Sequence, residues 1–256
     1  MNDFKIIDFH MHPFIDKKDN LCMYKEGIDM TCDTTYRDLK NAGIEKFCGS
    51  VIKKNAFDFS VLRACNRDAL KLREMYGGDY IPGFQISPNF IEESIQEIEY
   101  AHNCNVKLIG ELVPYMHDWG DYSCEEFSYL LEHLEKYDMV VNLHTLELEQ
   151  MEVMAKNHPN IRFVFAHPGE YERVRKHIDV MKKYDNVSLD ISGTGIIRYG
   201  VIKELVSKVG AERILFGTDY PIGNLQVYIN GVLGEKISDR EKELIFSVNA
   251  ENMLNL

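Results

Sequence analysis

The chain has 256 residues, 45% of them hydrophobic, enough to bury one large core, so a single domain over residues 1–256 suffices. Its 41 acidic residues outnumber 29 basic ones, and the net charge of −12 is spread along the chain; such a surface repels phosphate backbones and argues against a nucleic-acid partner. No apolar stretch approaches the ~18 residues of a membrane span, so no membrane partner is expected either.

The opening Met1-Asn-Asp-Phe-Lys5 runs directly into an apolar segment and leaves no room for a leader. Six cysteines (Cys22, Cys32, Cys48, Cys65, Cys104, Cys124) are scattered without a Cys-x-x-Cys pair, which suits reduced thiols. The expectation is a soluble, cytoplasmic protein acting on a small-molecule substrate, with assembly into a homo-oligomer left open.

In chain order, strands are predicted at 5–12, 44–51, 80–87, 106–115, 139–145, 162–168, 187–192 and 213–219. Helical patterns fall between them at 33–42, 58–76, 89–104, 123–137, 147–157, 171–184 and 198–209, and after the last strand at 238–254. Ser123 with Glu126, and Ser238 with Glu241, have capping-box spacing. Eight such units in about 250 residues, with no Gly-x-Gly-x-x-Gly turn after the first strand, point to an α/β fold: a closed (β/α)8 TIM barrel rather than an open doubly wound sheet.

Five of these strands end in polar groups that ligate metals. The first carries His10 and His12, which an extended strand points to one face with Met11 on the other. The others end in Glu111, His144, His167 and Asp219. The strands of a parallel barrel converge at their C-terminal ends, where its chemistry sits. Imidazoles and carboxylates are the donors that zinc, with manganese the alternative, takes in catalytic sites; His10, His12, His144 and Asp219 make a first shell, and Glu111 is either a further ligand or the acid that holds a ligand imidazole by its distal N–H, with one or two ions open. A bound ion lowers the pKa of its water to ~7, and Asp219 is placed to be both ligand and base.

Together these segments resemble the metal-dependent amidohydrolase superfamily, in its amidohydrolase-related (amidohydrolase 2) branch of small hydrolases and non-oxidative decarboxylases. The resemblance rests on Asp8-Phe-His10-Met-His12, Gly110-Glu111-Leu112, Leu143-His144, Ala166-His167-Pro168-Gly169, Leu215-Phe-Gly-Thr-Asp219-Tyr-Pro221 and Asn249-Ala-Glu-Asn-Met-Leu254. It implies that Asp219 contacts metal, accepts a proton from water and later delivers it. It also implies that His167 orients or polarises the substrate or joins a second metal, and that Glu111 binds a second ion in two-metal members.

The remaining histidines read differently. His102, His133, His158 and His177 fall on or beside helices and are expected at the surface, with His117, after the fourth strand, intermediate. Asp190 is expected to be structural, and Cys48 a packed thiol. Residues 13–32 form a long loop able to act as a lid, and Tyr115, Met116, His117 and Trp119 an aromatic wall. Lys53 and Arg198 are candidate carboxylate partners, with surface solvation the commoner use of each. The expected activity is hydrolysis of an amide, lactone or ester by metal-activated water. The alternative is decarboxylation of a small unsaturated or aromatic acid, which calls for a cation in the mouth. A non-catalytic ligand-sensing barrel is disfavoured, because binding alone needs no Asp219 proton shuttle.

Overall fold

The computed structural model describes residues 4–24, 26–54 and 56–256; the first three residues, on which the no-leader expectation partly rests, lie outside it. Strands and helices alternate: β1 (Ile7–Asp8), α1 (Cys32–Asn41), β2 (Lys46–Ser50), α2 (Phe59–Tyr76), β3 (Tyr80–Phe84), α3 (Ile91–Asn103), β4 (Leu108–Leu112) and α4 (Glu125–Leu134). The pattern continues with β5 (Val140–His144), α5 (Leu148–Asn157), β6 (Arg162–Ala166), α6 (Tyr171–Lys183), β7 (Val187–Asp190), α7 (Val201–Val209), β8 (Ile214–Leu215) and α8 (Leu225–Gly234). Two further helical pieces, α9 (Asp239–Glu243) and α10 (Asn249–Leu254), are joined by a π-helical turn over Leu244–Val248.

The eight strands pair in parallel, in sequence order. β8 returns to β1 through Phe9 N–H to Phe216 O (2.8 Å), Asp219 N–H to His10 O (2.8 Å) and His12 N–H to Tyr220 O (2.7 Å), which makes the sheet a TIM barrel. β1 and β8 are each two residues long, far shorter than their apolar runs, because the chain beyond them spends its hydrogen bonds on this closure. Along β5 the faces alternate. Val141 and Leu143 join the large core under the helices, while Val140 packs with Ile7, Cys48, Leu108, Val164 and Leu215 against Ala250 and Leu254 of α10. That smaller cluster takes one side chain from each of six strands and is plugged by the final helix. Asn142 and His144 share the parity of Val140, so His144 emerges above it at the strand's C-terminal end.

Two helix starts test the capping expectations. Ser238 and Glu241 form the reciprocal capping box of α9. Ser123 does not cap α4: its N–H and hydroxyl both donate to Asp121 (2.7 Å each), and the helix begins at Glu125 after an uncapping Cys124. The helix α8 is absent from the sequence expectation, because Pro221, Gly223 and Asn224 read as loop; Asn224 is in fact its N-cap, accepting from Gln226 and Val227.

His158 and His177 are buried, contrary to expectation. His158 ties α4 to the end of α5 through Ser128 Oγ (2.8 Å) and Glu135 Oε1 (3.2 Å). His177 lies on the apolar stripe of α6 with Val174, Ile178 and Met181, and burial, against a smaller opposing contribution from the His167 backbone, pushes it down to about 3. A depressed imidazole stays neutral in the native state while the unfolded chain takes up a proton near pH 6.5. Stability from this residue is therefore present above about 6.5 and falls as pH drops toward 3. At pH 4.5 the loss should be about 2–3 kcal/mol, two pH units at ~1.4 kcal/mol each. Urea unfolding at pH 7 and 4.5 should show a smaller drop for His177→Phe than for wild type; equal drops would contradict this.

Candidate metal centre

At the C-terminal rim five strand ends aim donors at one another. The Nε2 atoms of His10 and His12 are 3.2 Å apart, while Met11 is buried in the helix-facing core. Glu111 Oε2 lies 3.4 Å from His10 Nε2 and 3.3 Å from His12 Nε2; Asp219 Oδ1 lies 3.7 and 3.2 Å from the same two atoms. Donors at about 2.0–2.2 Å from one ion sit roughly 2.9–3.6 Å from each other, so this spacing fits a divalent metal.

The other carboxylate oxygen of Glu111 faces a second pair of imidazoles, His144 Nδ1 at 2.9 Å and His167 Nε2 at 3.1 Å. Glu111 thus stands between two donor groups, and His144 belongs to the second rather than beside His10, His12 and Asp219. Two triplets of these residues share a donor sphere: His10, His12 and Glu111, and Glu111, His144 and His167, with His10, His167 and Asp219 linking them. The placement of Glu111 depends on Gly110. At φ +98° the register of β4 against β5 shifts, and a Cβ at Gly110 would stand 2.1 Å from Asn142 O.

The electrostatics follow from burial. Burial opposes the charges on His10, but the carboxylates of Asp190 and Glu111 outweigh it and hold the ring well above the ordinary imidazole range. His12 is pushed up to about 9 when its hydrogen bonds to Asp219 and Glu111 overcome the same penalty. Burial also penalises the Glu111 carboxylate, yet His10, His12 and His144 together draw it well below its usual value. Without a metal, protons on the imidazoles supply the positive charge that the carboxylates require, and metal uptake must displace them.

Behind the rim, Asp190 accepts from His10 Nδ1 (2.9 Å) and from Asn142 Nδ2 (3.2 Å). Asp8 accepts from the Thr218 hydroxyl (2.5 Å) and from the backbone N–H groups of Thr218 (3.0 Å) and His10 (3.1 Å), locking the start of one ligand strand to the end of another. Asp190 has a structural role, as expected, and that role is to carry His10. The sequence carries the signal: Val187-Ser-Leu-Asp190-Ile-Ser192 alternates apolar and polar residues, which puts Asp190 and Ser192 on one face of the strand.

A cavity of about 270 Å³ opens over this cluster, walled by Leu21, Ile52, Val113 and Met116. Tyr115 lines it and sets its ring edge-on to His144, 5.2 Å between centroids. Trp119 does not line it: it packs against Phe127 and Tyr122 and seals the loop onto the barrel. Of the lid segment, Leu21 and Met23 line the mouth and Phe14 is buried in the core; Lys25 lies outside the described residues. A larger groove of about 790 Å³ between Pro88–Glu93 and Asp118–Glu126 contains none of these histidines and is lined by acids.

Neither predicted cation reaches the site. Lys53 is half-buried between Asp68 (3.0 Å) and Asp19 (3.4 Å), tying the first loop to α2, and Arg198 reaches Glu170 on the surface. Lys54, which no sequence signal singled out, lines the cavity instead and has no carboxylate within salt-bridge distance among the described residues.

Solved structures share the fold, three of which show its range. A dihydroxybenzoic acid decarboxylase from Polaromonas sp. JS666 with bound manganese and the inhibitor 2-nitroresorcinol has TM-score 0.76 and 16% identity, with 100% of this chain and 98% of that chain covered. A 5-carboxyvanillate decarboxylase from Sphingomonas paucimobilis has TM-score 0.74 and 12% identity over 99% of this chain and 100% of that chain. An uncharacterised TIM-barrel protein from Bordetella bronchiseptica has TM-score 0.79 and 18% identity over 98% of each chain. No curated protein matches the sequence. The family model described as Amidohydrolase matches residues 7–256, from the first strand through α10, and the chain with its rim of histidines and carboxylates belongs to that family.

Proposed function

We propose that the protein is a metal-dependent, non-oxidative decarboxylase of a small aromatic or unsaturated carboxylic acid. The observation that carries this is Lys54, which lines the mouth beside Leu21, Ile52, Val113 and Met116 and has no carboxylate within salt-bridge distance among the described residues. An amide or lactone needs no such group; a carboxylate does. The hydrolase expected from the motifs uses the same donors, and nothing in the mouth favours it. The manganese-bound dihydroxybenzoic acid decarboxylase and the 5-carboxyvanillate decarboxylase lend support as neighbours in fold.

In this reading the residues of the first and second donor groups hold manganese or zinc, one ion or two. The metal supplies a Lewis acid that holds substrate oxygens. Lys54 draws the anion in and orients it, and Leu21, Ile52, Val113 and Met116 exclude water, which weakens the solvation of the carboxylate. Asp219, in its protonated form, gives its proton to the ring carbon bearing the carboxylate. The carbon–carbon bond then breaks, its electron pair returns to the ring and CO₂ leaves. A proton from solvent restores Asp219, so one proton is consumed for each CO₂ released. His167, across Glu111 from Asp219, orients the ring.

The test is a metal-loaded sample offered carboxyl-¹³C hydroxybenzoates in D₂O, followed for labelled CO₂ and for deuterium at the vacated carbon. Both signals are expected. Hydrolysis of lactones or amides with no CO₂ from any acid would overturn the reading. Lys54→Met should raise KM for the acid about tenfold, ~1.4 kcal/mol of lost charge-assisted binding, with kcat little changed. A KM unchanged in that variant would remove the anchor.

A further inference from the structure

Ser192 lies just beyond β7, fully buried, with its hydroxyl within hydrogen-bond distance of both His10 and His167. Its hydroxyl donates to Asp190 Oδ1, and its backbone N–H reaches the same oxygen at 3.0 Å. A serine hydroxyl has one proton, and that proton is spent. Toward His10 Nδ1 at 3.1 Å and His167 Nδ1 at 3.0 Å the oxygen therefore has only lone pairs: His167 must donate to it outright, whereas the one Nδ1 proton of His10 is shared between it and Asp190 Oδ2 at 2.9 Å. A ring that donates from Nδ1 keeps Nε2 for the opposite side, where His10 Nε2 meets Glu111 Oε2 and His167 Nε2 meets Glu111 Oε1.

The two rings are not held equally. His10 has Asp190 Oδ2 as a second acceptor at 2.9 Å, whereas Ser192 is the one hydrogen-bond partner of His167 Nδ1 among the described residues. The next residue completes the cradle. A Cβ on Gly193, at φ +64°, would stand 2.3 Å from His167 Nδ1, so the ring lies directly on that glycine.

We propose that Ser192 is a positioning residue that couples the two donor groups, its single oxygen accepting from one histidine of each and aiming both Nε2 atoms at Glu111. The coupling is asymmetric: losing the hydroxyl frees His167 and leaves His10 on Asp190. The effect on metal affinity rests on the reading of the cluster as a metal site; the effect on the His167 ring does not.

The test uses full-length wild type and Ser192→Ala, labelled with ¹⁵N-histidine, metal-free and after zinc addition. In wild type the Nδ1 protons of His10 and His167 should both be protected from exchange with water. In Ser192→Ala the His167 signal should be lost and that of His10 retained, and zinc titrated calorimetrically should bind roughly 10–100-fold more weakly. A His167 Nδ1 proton equally protected in the two proteins would overturn the proposal. Should the alanine variant fail to fold, Ser192→Cys keeps the side-chain size with a weak acceptor, and the same loss is expected and the same retention is fatal. If wild type binds neither zinc nor manganese, the metal reading falls and the metal-free spectra alone decide the role of Ser192.

Discussion

Asp219→Asn should lower kcat by at least about 10²–10⁴-fold with metal still bound, the range over which a positioned acid–base group acts. The amide keeps the shape of the side chain and an oxygen to place 3.2 Å from His12 Nε2, but it has no acidic proton to give a ring carbon. Metal content by element analysis on the same sample separates the two losses. Wild-type turnover in a metal-replete variant would show that the proton comes from elsewhere, and Asp219 would be a ligand only.

Glu111→Gln should have the second-largest effect, on metal rather than on the proton. Each oxygen of this carboxylate faces a different pair of imidazoles, and at full burial an amide nitrogen replacing one of them offers a donor where an acceptor is required. The content should fall by about one ion per chain if wild type holds two. If wild type holds one, affinity should drop by roughly 10–100-fold at constant count. Unchanged content, affinity and turnover would contradict both, and would make Glu111 a buried counter-charge for the histidines and nothing more.

Much of this was legible in the sequence, for a physical reason. A strand buried on both faces is mostly apolar until it reaches the mouth, so the acid or imidazole that follows Val-Lys-Leu-Ile-Gly or Met-Val-Val-Asn-Leu marks where the barrel ends and chemistry begins. The barrel and the meeting of His10, His12, Glu111, His144, His167 and Asp219 at one rim followed from that. Their partition around Glu111 did not, because it depends on the register shift at Gly110, which no periodicity announces. The burial of His177 is legible in position though not in residue type: Val174, His177, Ile178 and Met181 have the i, i+3, i+4, i+7 spacing of a buried stripe. Lys54 beside Lys53 shows the reverse limit. Two adjacent lysines on a loop are indistinguishable until the backbone sends one to Asp68 and the other to the mouth.

The seam between β1 and β8 gives the site its history as well as its shape. Asp8 and Thr218, whose bonds fasten that seam, are 210 residues apart, so a contact with a large loop-closure entropy is also the one that delivers Asp219 to His10 and His12. A chain still waiting for its eighth strand has the histidine pair but no complete donor set. Completion of the centre is therefore a report on completion of the barrel: a chain that lacks its last strand has imidazoles and Glu111 but not the acid that Asp219 brings to them.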